Sequence, residues 1–209
     1  LVATDPGRSL SKLGRAIAWA PNVPEYRWYR AELVEELARH TEGPAAGASA
    51  LDQVQLDYEA PVTANLLSQE ARIRLAAWTL RLARLGYEKK DRDAVRMYEE
   101  LIEMAPGFGH LYNLLAIAHI EFGRPRQGLD ALDRVLASER RPEVVATAYL
   151  LRGVALRGLG RVGEAKVWLR RALRDRPGTP ANVYREAGRL LPLVEVDLDE
   201  LVRVQKMGR

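Results

Sequence analysis

The chain has 209 residues, 29% of them charged and 47% hydrophobic, with a net charge of +4 and no cysteine. That composition belongs to an ordinary globular chain; it excludes disulfides, thiol catalysis and cysteine-held zinc, and leaves the compartment open. No apolar run approaches the ~18 residues a membrane-crossing helix needs.

The positive charge is uneven. Between Glu139 and Arg189 twelve Arg or Lys face five Asp or Glu, a balance that suits a solvated arginine-rich face or an anionic partner. The chain starts at Leu1 rather than Met, so a fragment of a larger protein is expected. An amino-terminal signal pattern is not visible.

After a lead-in over Leu1–Gly7, the stretch from Ser9 through Leu13 and Ala16 to Pro21 places small and apolar residues at offsets of 4, 3 and 5. The spacing predicts one amphipathic helix ended by a proline. Ile17 and Trp19 on it would need a cover. A second helix is expected over Glu25–Arg39, with Pro24 in its first turn and Trp28, Ala31, Glu32 and Glu35 at signature positions. The run Thr41–Ala50 is rich in small residues and reads as a linker. Leu51–Tyr58 reads as a short degenerate helix ended by Pro61.

Val62–Leu85 has Leu67, Ala71, Leu75, Trp78, Leu82 and Leu85 at helical spacing, with Thr63 or Ser68 as its cap. It reads as one long helix or two abutting ones. Asp91–Pro106 is its partner, with the offsets 4, 3 and 5 again counted from Ala94. Two registers stay open here: counting back from Pro106 puts Trp78 in the leading large-residue position, and counting from Gly86 puts Leu75 there. Tyr112, Leu115, Ala116 and His119 follow on one helix, then Gly123 as a turn, then Gly128, Leu132 and Val135 on the next.

The clearest stretch runs from Tyr149 through Gly153 and Leu156 to Gly160, then through Ala165, Leu169 and Ala172 to Pro177. Small residues let two antiparallel helices approach, large ones fill the gaps, and Pro177 stops the second helix. Tyr112 to Tyr149 and Gly123 to Gly160 are both 37 residues. This pattern resembles the tetratricopeptide repeat, a helical hairpin of about 34 residues. The resemblance implies an all-α fold, a right-handed solenoid of antiparallel hairpins. It would hold about three regular hairpins over 62–179, a partial repeat over 1–40, a linker with a short helix over 41–61, and closing helices over 180–209. The closing part would comprise Pro180–Leu191, with Val183, Ala187, Leu190 and Leu191 facing inward. A last helix would open on Asp197 and Glu200 and continue through Leu201, Val202 and Gln205.

Motifs of chemistry are scarce. Gly158-Leu-Gly160-Arg-Val-Gly163 is a literal G-x-G-x-x-G, but a helical pattern precedes it where dinucleotide binding needs a strand. It reads as an interhelix turn, as Gly123 does one period earlier. His40, His110 and His119 have no metal-ligand spacing, and His119 reads as a packing residue. Paired carboxylates such as Glu99-Glu100 fall on amphipathic helices. Trp28, Trp78 and Trp168 sit at core spacing. Arg170, Arg171 and Arg174 beside Trp168 form the candidate anion patch. An enzyme, a cofactor and a metal are not expected.

The resemblance implies a concave groove lined by the first helix of each hairpin. Residues pointing away from the hairpin seam are Thr79 and Ala83, then Asn113, Ile117 and Ile120, then Leu150, Val154 and Arg157. Some members of that family clamp a carboxy-terminal acidic peptide with lysines and asparagines in these positions. Here they are mostly apolar, which suits a helix, a hydrophobic peptide or a neighbouring segment of the chain itself; Leu150 and Val154 are alternatively covered by the closing helices. The expected role is a non-enzymatic protein-interaction scaffold. Val62-Thr-Ala-Asn-Leu66 leading into a repeat array also resembles the tail of bacterial membrane polysaccharide ligases of the O-antigen type, which implies an upstream membrane segment and a membrane-associated location in place of a cytoplasmic one. A third expectation is a helical repeat that binds RNA or another anion through its basic carboxy-terminal half.

Overall fold

The protein is described by a computed structural model covering residues 5–40, 44–174, 180–182, 185–187 and 189–191. It is helical throughout these residues. In order the helices are α1 (Pro6–Trp19), α2 (Pro24–His40), α3 (Pro44–Ala64), α4 (Gln69–Arg84), α5 (Lys90–Met104), α6 (Gly109–Glu121), α7 (Pro125–Ser138), α8 (Pro142–Gly158) and α9 (Val162–Arg174). Further helical residues lie within 181–191. The expected Pro177 stop and the helix proposed from Asp197 lie outside the described residues.

The chain divides into two units, Leu1–Lys90 and Asp91–Arg209. In the first, α1 packs on α2, α2 on α3 and α3 on α4. Asp5 caps α1 through Oδ1, which accepts the Arg8 N–H at 3.0 Å, and Ser68 caps α4 by accepting from Ala71 at 3.3 Å. Each satisfies an amide that the first helical turn leaves free. The core joins Trp28 and Ala31 to Val54 and Tyr58, and these to Ala71, Trp78 and Leu82. The Tyr58 and Trp78 rings stack 5.8 Å apart.

One expectation is corrected in this unit. The small-residue stretch is not a linker followed by a short helix: α3 is one helix of 21 residues that carries Pro61 inside it. Of the two readings of Val62–Leu85, one long helix or two abutting ones, the chain takes the second, with α3 ending at Ala64 and α4 starting at Gln69 under the Ser68 cap. Pro61 takes the amide bond from the Asp57 carbonyl, yet the Asn65 N–H donates to Pro61 O at 3.1 Å, so the ladder resumes beyond it. The chain then breaks where the Asn65 side chain accepts from Leu67 N–H at 3.1 Å, a local turn that competes with helix.

In the second unit α6 packs on α7, α7 on α8 and α8 on α9, with α6 also meeting α8. Both hairpins close over one small-residue pair. In the first, the position of a β-carbon on Gly128 lies 3.3 Å from Ala116 O; in the second, that of Gly153 lies 3.4 Å from Ala165 O. Ala116 and Gly153 are 37 residues apart, as are Gly128 and Ala165. Each hairpin therefore spends one glycine and one alanine at closest approach, with the glycine on opposite helices. Leu156, Val162, Leu169 and Ala172 form the core with Leu150, Ala187 and Leu190.

The open register around Trp78 is settled by three matching helix ends. Gly86, Gly123 and Gly160 all have positive φ, at 88°, 72° and 72°. The amide of the following residue reaches back to Leu82 O, His119 O and Leu156 O at 3.2, 2.8 and 2.9 Å. These are left-handed glycine caps with the long return bond, one per 37 residues. Leu75, not Trp78, is thus the counterpart of Tyr112 and Tyr149. Each period holds the 34-residue core and three more, placed differently. Gly86 to Ala94 spans eight residues where Gly123 to Gly128 and Gly160 to Ala165 span five; Val135 to Tyr149 spans fourteen where Leu101 to Tyr112 spans eleven.

Candidate partner-binding site

Four of the eight expected groove residues are buried. Thr79 and Ala83 lie inside α4, and the Thr79 hydroxyl donates to Leu75 O at 2.9 Å. Asn113 is 1% exposed, and its Nδ2 donates to Val144 O at 2.9 Å, tying α6 to the first turn of α8. Leu150 joins the core with Ala187 and Leu190. The correction has one cause in the second unit. The position after the leading tyrosine of a first helix turns toward whatever packs next along the array, which is α8 for Asn113 and the closing segment for Leu150. Ile117 is half-buried on α6.

The other three are brought together. Ile120 from α6 and Val154 and Arg157 from α8 line a cavity of about 400 Å³, with Leu169 from α9 and Leu190 from the closing segment. Gly153 and Gly158 complete its wall with bare backbone. Such a cavity has the size and the lining for one apolar side chain. Leu169 and Leu190 were legible as packing residues in the sequence, but nothing in it said that a cavity would lie against them.

The arginine patch beside Trp168 is organised differently from the expectation. Arg171 and Arg152 lie 4.6 and 4.7 Å from the indole centroid, and the Tyr149 ring is 5.5 Å away. Arg152 also pairs with Asp133. The half-buried indole is therefore occupied by the protein's own cations and phenol, and a nucleobase would have to displace them. Arg170 and Arg174 are exposed on α9.

A second cavity, of about 540 Å³, lies in the first unit between the α1–α2 and α3–α4 connections, lined by Pro21, Asn22, Arg27, Pro61 and Asn65 among others. Arg27 of its wall lies 3.6 Å from the fully buried Asp57, which accepts two bonds from Arg30 at 2.7 and 2.6 Å. Tyr58 donates to Glu35 and accepts from Arg81, both at 3.1 Å. Burial, and then the Glu35 carboxylate, push the Tyr58 phenol up to about 12. The phenol therefore stays protonated at neutral pH. Sequence reading missed this network because its partners are 23 and 46 residues apart.

Catalytic constellations do not emerge among the described residues. Gly160 of the G-x-G-x-x-G is the C-terminal cap of α8, with α9 starting at Val162, so no strand feeds it. Among the described residues no group of His, Asp or Glu could hold a metal ion, and no helix is long and apolar enough to cross a membrane.

Residues 113–180 match the family model for the tetratricopeptide repeat. No curated protein matches the chain. Among solved structures, the chain resembles TTC0263, a thermophilic TPR protein of Thermus thermophilus, at 18% identity and a TM-score of 0.63, over 88% of this chain and 92% of that one. It resembles MamA at 15% identity and a TM-score of 0.56, over 80% and 86%. It also resembles YrrB, described as a TPR protein with an unusual peptide-binding site, at 12% identity and a TM-score of 0.55, over 88% and 84%.

Proposed function

We propose that this chain, whose residues 113–180 match the tetratricopeptide repeat model, is a non-enzymatic interaction scaffold whose second unit binds a peptide or helix by one apolar anchor. The observation that carries the reading is the 400 Å³ cavity between α6, α8 and α9, apolar on most sides and bearing Arg157. An anchor of leucine or phenylalanine size fits that volume, and fully burying one is worth roughly 1.5–3 kcal/mol. Arg157 in its wall adds a positive charge that favours an anionic group of the same peptide. The general role agrees with the fold shared with other repeat proteins, and YrrB has a peptide-binding site.

The test is a selection of peptides from a random display library on the purified chain, followed by affinity measurement. Val154→Glu puts a carboxylate into the cavity and is expected to weaken the selected peptides at least about tenfold, or ~1.4 kcal/mol. Arg170→Glu on the exposed side of α9 should leave them unchanged. Equal affinity for the wild type and Val154→Glu, with unchanged helical content, would remove the cavity from the binding site.

A further inference from the structure

We propose that the outer face of α1 is a docking stripe for an anionic lipid bilayer surface, a site separate from the cavity of the second unit. The stripe is written in the spacing. Arg8, Lys12, Arg15 and Trp19 recur at intervals of 4, 3 and 4, and at ~100° per residue they fall within an arc of about 60°. Ile17, the buried residue of the helix, falls on the opposite side. All four stripe residues are exposed, and Trp19, at 85%, is the most exposed large apolar side chain among the described residues.

Charge complementarity selects the occupant. Between Pro6 and Trp19 there is no acidic residue. Asp5, just before the helix, uses its carboxylate to cap the Arg8 amide. Among the described residues none of the three cations is paired with a carboxylate. The stripe is thus a line of three unopposed cations roughly 10 Å long, from Arg8 to Arg15, with an indole one turn further on. Trp prefers the headgroup level of a bilayer, where its ring is half apolar and its N–H stays wet, and cations beside it meet lipid phosphate and carboxylate groups. A duplex nucleic acid satisfies the cations, but its bases are stacked on one another and leave the protruding indole at the end of the stripe nothing to stack on.

The mode of binding follows from what the helix has already used. Its apolar side, around Leu13 and Ile17, is turned toward α2, so α1 cannot sink into the acyl layer as a free amphipathic helix does. It lies on the surface, held by three cations and one interfacial ring. Attachment is therefore reversible, needs anionic lipid, and weakens as salt screens it. Loss of one cation is expected to lower partitioning about fivefold.

The intact chain is mixed with vesicles of phosphatidylcholine alone or with about 30% phosphatidylserine, a content that gives an anionic surface. Trp28 and Trp78 are buried and Trp168 is half-buried, so a change in tryptophan emission reports mainly on Trp19. The expected result is co-sedimentation with a blue-shifted emission on the phosphatidylserine vesicles only, reversed by about 0.5 M salt. Arg8→Glu, Lys12→Glu and Arg15→Glu together are expected to reduce binding more than a hundredfold. The milder pair Lys12→Gln and Arg15→Gln, which keeps size and helix propensity, should reduce it about 25-fold, and Trp19→Ala should remove the blue shift. Equal binding to both vesicle types, no binding to either, or retained binding in a folded Gln pair would overturn the proposal. So would binding of duplex DNA that the same substitutions abolish, with no vesicle binding, because it would reassign the stripe to nucleic acid.

Discussion

His119 and Glu139 make the second unit respond to acid in two separate ranges. His119 is buried, its Nδ1 has no hydrogen-bond partner, and burial together with the charge of Arg124 holds it below the ordinary 6.5. A histidine kept neutral by the fold contributes stability that is full above 6.5 and is lost as pH falls through the folded value. Glu139 accepts the Arg141 side chain and the backbone amides of Arg140 and Arg141, which hold it down at about 2. Its contribution is present above 4.5 and is lost between about 4.5 and about 2. Thermal unfolding followed against pH should show both declines. His119→Leu should shrink the upper decline, which the lowered His110 shares, and leave the lower; Glu139→Gln should shrink the lower one, which the lowered Glu164 and Glu186 share, and leave the upper. Leucine is the natural test at 119, because the matching positions 82 and 156 are Leu82 and Leu156. Histidine at that position was legible in the sequence as a packing residue. Its unpartnered nitrogen was not, since that depends on which side chains of neighbouring elements fail to reach it.

At the scale of elements, the hairpins rest on the glycine–alanine pair where each closes and on the glycine that caps its first helix. A β-carbon on Gly153 would stand 2.7 Å from Leu169 Cγ and Cδ2. Gly153→Ala is therefore expected to cost about 1–3 kcal/mol through overpacking, despite the higher helix propensity of alanine. Gly123→Ala meets no neighbour within 4 Å but stands at φ 72°, and should cost about 1–2 kcal/mol from backbone strain alone. Chemical denaturation of the two variants should rank them and show both destabilised; a stabilised Gly153→Ala would remove the close approach as the reason for that glycine. These positions were legible because the repeat puts a small residue and a turn glycine at fixed offsets. The inner run of α3 was not. A proline and a small-residue stretch both favour a break, and Pro61 is tolerated only because the helix regains its bonding at Asn65.

For the whole molecule, each of the two units has a core of its own among the described residues. Trp28, Val54, Tyr58 and Trp78 pack together in the first, and Leu156, Leu169, Ala187 and Leu190 in the second. Leu156→Ala leaves a cavity beneath α9 and should cost about 2–5 kcal/mol. In hydrogen exchange its loss of protection is expected within Asp91–Arg209, with the amides of α2 to α4 keeping theirs; uniform loss along the chain would show that the two cores open together.

The sequence by itself determined the helices of the second unit, their turns at Gly123 and Gly160, and the 37-residue spacing, because hydrophobic period, turn glycines and small-residue contacts are local or recur at fixed offsets. It also determined that the groove positions would be mainly apolar. Only the tertiary structure decided which of those positions stay open. Asn113 and Leu150 lie one residue past a signature tyrosine, as a groove residue would, yet both are buried, Asn113 bonded to Val144 O and Leu150 inside the core cluster that also holds Leu190. Ile120, Val154 and Arg157 keep a cavity before them. The same holds for Asp57 and Tyr58, ordinary polar residues of a helix in sequence, whose polar atoms find partners only when α2 brings Arg30 and Glu35 and α4 brings Arg81. Period is a property of one helix and can be read along the chain. Exposure and pairing belong to the space between helices, and are fixed only when the neighbours arrive.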